Sequence, residues 1–194
     1  VMLISSSRIL NTPVMSLQTG ARLATTKAAI IDPRNLFIIA FELEGSLLTE
    51  KPSFLVVNDI REIGTMGMIV DSSDEFVGLN DIIKLKEVYG FNFVLTRLLV
   101  RDQKGRRVGK VSGFSVEPGS FMVRQLAVRR PILKSLTDTE LLVDRNQIVE
   151  ISNDTVVIKS ENEATRSHVK AAAGAYTNPF RATATPQPET IDRP

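Results

Sequence analysis

The sequence predicts an all-β protein in which one β unit is used twice. Three observations carry this. A stretch at positions 20–41 recurs at 105–126 without a gap: Gly20 answers Gly105, Leu23 answers Val108, Asp32-Pro33 answers Glu117-Pro118, and Leu36 answers Phe121. Each copy reads as strand, acidic-Pro turn, strand, with the Pro pre-setting the backbone angle of the turn. Outside these copies the apolar runs are short and bounded by Gly, Asn, Asp and Pro, which is strand punctuation rather than helix punctuation.

In chain order, strands are expected at 13–17 and 25–32, then a turn at 33–35, then a strand at 36–43. Further strands are expected at 54–57, 60–63 and 68–70, the last two flanking Gly64 and Gly67 as a hairpin. Positions 79–89 have helical spacing, with Ile82, Leu85 and Tyr89 on one face and Asn80 or Asp81 as cap. So short a helix needs packing to hold it. The second copy repeats the plan with strands at 98–100, 108–116, 121–128, 140–143 and 156–158. Gly109 and Gly113 inside a strand mark bends or close backbone approach. In this reading the segment at 140–143 answers 54–57, and Ile148, Glu150 and Ile151 answer Ile60, Glu62 and Ile63. That pairing requires a short insertion around positions 131–139. The expected organisation is a first unit at 7–72, a linker with a short helix at 73–92, a second unit at 93–160, and a tail at 161–194. The tail is rich in Ala, Thr and Pro and is expected to be disordered, because it cannot bury enough apolar surface to offset its ordering entropy.

Composition narrows the function. The chain has 194 residues and a formal net charge of +2, with 43% hydrophobic and 24% charged residues, ordinary values for a globular protein. There is no Cys, which removes disulfides, thiolate metal sites and a Cys nucleophile. No apolar run reaches membrane-spanning length, and the first residues lack the pattern of a signal peptide. A cytoplasmic location is therefore expected. The sole His, His168, lies in the tail, so no His-based triad or zinc site can form in the two units. The run from Gly105 to Lys110 resembles a phosphate loop only superficially. It has three residues between its glycines where four are needed, and Val111 stands where Ser or Thr belongs. The acids Asp71, Asp74 and Glu75 lack calcium-loop spacing and read as a solvated linker.

The residues Gly105-Arg106-Arg107-Val108-Gly109-Lys110-Val111, Val116-Glu117-Pro118 and the strand at 121–128 resemble the PRC-barrel family. The closing strands at 143–151 and 154–158 also fit. The first unit matches at Gly20-Ala21-Arg22-Leu23 and from Ile30 to Leu36, and departs at Ala24 and Thr25, where Gly and Lys are usual. The resemblance spans roughly three quarters of the chain, through a pattern of turns and apolar strands rather than a chemical signature. It implies two tandem small, strongly bent β-barrels. The family includes the cytoplasmic part of the photosynthetic reaction-centre H subunit, the C-terminal domain of a small-subunit ribosome maturation factor, and archaeal cell-division scaffolds, all docking modules. The function it implies is a non-enzymatic adaptor or scaffold without cofactor or metal, binding another macromolecule, with a protein as the expected partner. The alternative is association with RNA or the ribosome.

Two groups of residues are singled out for contact. Between Arg97 and Arg145 eleven basic residues stand against five acidic ones, a net of +6; between Ile9 and Val70 five stand against six, a net of −1. The second unit is therefore the basic one, and Arg106, Arg107, Arg124, Arg129 and Arg130 are the candidates for charge-assisted bonds to a partner. The strand at 36–43 is apolar on both faces, whereas a small barrel buries one. Strict alternation puts Phe37, Ile39, Phe41 and Leu43 on an outer stripe, to be covered by the second unit, by the 79–89 helix or by another subunit. Glu44 and Arg129 hold equivalent positions with opposite charge, and a pseudo-twofold pairing of the units would bring them near each other.

Overall fold

The computed structural model describes residues 2–130 and 140–160. The tail at 161–194 and the insertion at 131–139 lie outside them. The described chain is mostly β, with two seven-stranded sheets and one short α-helix. The first sheet contains β2 (Pro13–Ser16), β3 (Arg22–Asp32), β4 (Phe37–Glu44), β5 (Ser53–Val56), β6 (Glu62–Gly64), β7 (Gly67–Val70) and β8 (Phe76–Gly78). The second contains β9 (Leu99–Asp102), β10 (Arg107–Val116), β11 (Val123–Arg129), β12 (Glu140–Asp144), β13 (Ile148–Ile151) and β14 (Thr155–Ile158). It also holds β1 (Ile4–Ser5), from the other end of the chain.

The duplication read in the sequence is a duplication of topology. The first sheet runs β6-β7-β2-β3-β4-β5 and the second β13-β14-β9-β10-β11-β12. Each has one parallel pair at the same place, β2 with β7 and β9 with β14. Even the irregularities repeat. Ile39 is the bulged residue between the pairs Ile31–Ile38 and Ile30–Ala40, and Arg124 is bulged between Val116–Val123 and Ser115–Gln125. Lys27 and Ser112 form a second matching pair of bulges. Bulges bend a strand and add twist, so both copies curl the same long hairpin at the same two points. The register also corrects the sequence alignment. Asp144 lies beside Gln125 as Val56 lies beside Ala40, so positions 141–144 answer 53–56. The extra residues all fall between Arg130 and Glu140.

Neither sheet closes into a barrel. The hydrogen-bonded path is open, ending at β6 and β8 in one sheet and at β13 and β12 in the other. The physical reason is that the inner faces share one core. Ile38, Phe41, Leu55 and Met68 from the first copy and Val100, Phe114, Val123 and Leu126 from the second belong to a single buried cluster. Each copy completes the burial of the other.

The copies meet around a local twofold axis. Phe37 and Met122, equivalent residues at the starts of β4 and β11, form an antiparallel bridge. The Ile38 N–H donates to the Phe121 carbonyl at 3.0 Å, and the Val123 N–H donates to the Leu36 carbonyl at 2.9 Å. Every donor and acceptor here has its counterpart in the other copy. Leu36 and Phe121 have φ of 56° and 55°, unusual for residues with a side chain, and both are buried. Each closes its acidic-Pro turn, Leu36 N–H onto the Asp32 carbonyl and Phe121 N–H onto the Glu117 carbonyl. Arg145 reaches across from the second copy, donating to the Asn35 carbonyl at 2.7 Å. The axis joins the starts of β4 and β11. Glu44 and Arg129 stand at the opposite ends of those strands, and no ion pair between them is among those formed by the described residues.

The predicted helix is α1 (Ile83–Gly90), and it starts later than the spacing implied. Neither Asn80 nor Asp81 caps it. The Asp81 carboxylate turns back to accept the Gly78 N–H at 2.6 Å, and Ile82 holds the cap position without a side-chain bond. Leu85 is buried with Phe54 and Ala40, and Ile82, Tyr89, Ile30 and Ile39 pack around them. Tyr89 meets Phe54 edge to face at 5.3 Å. The sheet supplies the packing that eight helical residues lack on their own.

Candidate functional site

The five arginines singled out from the sequence do different things. Arg106 is committed to its own turn. Its Nε and Nη2 lie 2.7 and 2.6 Å from the Asp102 carboxylate, which also accepts the backbone N–H groups of Lys104 and Arg106. Asp102 is buried. Burial pushes its carboxyl up, but these hydrogen bonds and the arginine charge outweigh that and hold it below the usual carboxylate range. Arg124 is the half-buried bulge residue of β11, and Arg130 is half-buried just past its end.

Arg107 and Arg129 are exposed, and the strand register gives each a basic neighbour. Arg107 lies directly opposite Arg101 on β9, and Arg129 lies directly opposite Lys110 on β10. All four side chains are exposed. Arg101 also donates to the Gly105 carbonyl at 3.0 Å, which leaves its charge in place. The next strand supplies one acid, Glu140, opposite Arg129. Arg101 and Lys110 were counted in the charge balance but not singled out, because their alignment depends on the Val108 bulge.

Like charges facing each other across strands are destabilising. The first copy shows that the fold does not require them. There the same register positions hold Met15 opposite Arg22 and Thr25 opposite Glu44.

The apolar stripe is divided by the bulge at Ile39. Alternation fails there, so Phe41 and Leu43 point into the core and not outward. Phe41 meets Phe121 of the second copy, edge to face, at 6.0 Å. Phe37 forms the bridge to Met122. Ile39 remains outside, beneath α1.

The helix is tied down by a polar clamp that the sequence did not single out. Asp32 is buried and accepts Arg34 Nε at 2.9 Å and Nη2 at 2.8 Å. Arg34 reaches Glu87 of α1 at 2.7 Å and lies over the Phe91 ring at 5.3 Å. The Arg34 hydrogen bonds, working against burial, hold the Asp32 carboxyl below its usual range.

Asp71 is paired with Arg61 through Nε at 2.9 Å, while Asp74 and Glu75 lie in one short turn, Asp74 exposed and Glu75 half-buried. Among the described residues no group of three or more His, Cys, Asp or Glu is placed to hold a metal ion, and no helix is long and apolar enough to cross a membrane. No protein-family model matches the chain, and no curated protein matches it.

Proposed function

We propose that this chain is a non-enzymatic adaptor that docks an acidic macromolecule, most readily a protein, on the basic row Arg101, Arg107, Lys110 and Arg129. The observation that carries this is the two like-charge pairs set opposite each other by the strand register, against their absence at the equivalent positions of the first copy. A row that costs stability and that the fold does not demand is explained by a partner that neutralises it. Arg107 and Arg129 then make charge-assisted hydrogen bonds to carboxylates. Two tandem PRC-type units are the architecture proposed for this display, with the repeated strand order and bulges in support. The same reading places the protein in the cytoplasm.

The test is affinity recovery from the native cell at low and moderate salt, with and without nuclease, using the full chain and an Arg107→Glu/Arg129→Glu variant. The adaptor reading predicts a nuclease-resistant protein partner that the charge reversal weakens at least tenfold. Recovery that vanishes with nuclease and falls steeply with salt would replace it with RNA or ribosome association.

A further inference from the structure

The two long hairpins are equivalent, yet their free edges are treated differently. On β10, β1 adds a strand: Ile4 pairs with Val116 and Ser5 with Ser115. The next residue, Ser6, accepts the Phe114 N–H on its Oγ at 3.2 Å. By the repeated register, Phe114, Ser115 and Val116 answer Ala29, Ile30 and Ile31 of β3. Along that edge of β3, the backbone of Thr26 is bonded to Asn11 and Thr12. Beyond Thr26, no strand among the described residues pairs with β3 on that side.

A groove of about 490 Å³ lies there. Ala28 to Ile31 form one wall as four consecutive residues, which is what an open strand edge presents. The other wall comes from the end of α1 and the segment that follows, including Val88, Phe93 and Val94. This segment leads into the second copy just as β1 and its turn lead into the first. Each copy's leading segment thus runs alongside the other copy's long hairpin. The first pairs as a strand; the second stands off and leaves a gap. The charges at the rim, Lys27 and Glu42, are paired with each other at 2.6 Å, so the groove asks for a neutral occupant.

We infer that this groove is a strand-addition site for an extended, uncharged peptide segment of another polypeptide, with a β-branched apolar residue followed by small hydroxyl residues. That is the chemistry of Ile4-Ser5-Ser6, which fills the equivalent edge. Main-chain hydrogen bonds to Ala29 and Ile31 give affinity, and the apolar walls select alternate side chains. The site is separate from the basic row and does not depend on it.

The probe is a synthetic peptide with the sequence of residues 2–7, blocked at both ends so that it carries no charge, added at millimolar concentration to the isotope-labelled full chain. Amide shifts and hydrogen exchange are followed. The expected result is saturable shifts centred on Ala29 to Ile31 and exchange at Ala29 and Ile31 slowed about tenfold or more. A peptide N-methylated at its Ile and its middle Ser should lose the effect. Three results would overturn the inference: no shifts at this edge, shifts centred on Ser115 and Val116 (displacement of β1), or equal binding of the N-methylated peptide.

Discussion

Gly109 shows how closely the backbone dictates single residues here. A methyl group at this position would run into the carbonyl oxygen of Arg129 and a Val128 methyl. The first copy carries Ala24 at the equivalent place and has Gly45 where the second copy has Arg130; a Cβ on Gly45 would lie 3.4 Å from the Ala24 Cα. Each copy therefore keeps one glycine at this crossing, on opposite strands. Gly109→Ala is expected to cost about 1–3 kcal/mol, as overpacking does. Gly113→Ala, whose added carbon meets the Ser6 hydroxyl at 3.3 Å and the Ala127 Cβ at 3.9 Å, should cost less than half as much; urea unfolding compares them. Asp32 gives a pH signature. Its folded pKa lies below the ordinary value, so its contribution is complete above about pH 5 and is lost as pH falls through the folded pKa. Asp71 and Asp102 act in the same direction. Asp32→Asn should lower the urea midpoint at pH 7, and the gap from the unaltered chain should narrow below about pH 4. A gap independent of pH would mean that the carboxylate charge is not what matters. The sequence shows the acidic-Pro turn plainly. It does not show that Arg34 links that turn to Glu87, because nothing local ties positions so far apart.

The strands that form through hairpins were legible as elements; those that form by long-range pairing were not. β2 to β7 and β9 to β14 follow short apolar runs between turn residues. β1 and β8 are two and three residues long and exist only because an edge of β10 or β5 receives them. The alternation across β4 put Phe41 and Leu43 on an outer stripe, whereas both are buried in the shared core, where Phe41 still meets Phe121 of the other copy. A bulge at Ile39 shifts the pattern by one residue, and Ile carries no signal for a bulge. What remained outside was still apolar, and α1 covers it. Ile39→Asp should cost about 1–3 kcal/mol, because it places a carboxylate against the apolar cluster of Ala40, Phe54 and Leu85. Amide exchange within α1 should accelerate more than exchange in β10 and β11. Equal effects everywhere would show that the helix is not held by this contact.

Seen whole, the duplication was the strongest message of the sequence, while the fusion of its copies was hidden. Nothing in the spacing of Leu36 or Phe121 announces that equivalent residues meet across a local axis. The shared core makes separate closure of each sheet unnecessary, so two open sheets stand where two closed barrels were expected. The candidate surface was half legible for the same reason. Charge counting located the basic copy, but only the register shows that Arg107 faces Arg101 and Arg129 faces Lys110. Phe121→Ala removes a ring that packs on Phe41 of the other copy and should cost about 3–5 kcal/mol. The most direct test of a single fused core is native-state hydrogen exchange on the unaltered chain and on Phe121→Ala. The slowest amides of β3 and β4 should share one opening free energy with those of β10 and β11, and the substitution should lower all of them together. A fall confined to the second copy, with the first left at its original value, would show two independent domains in place of one.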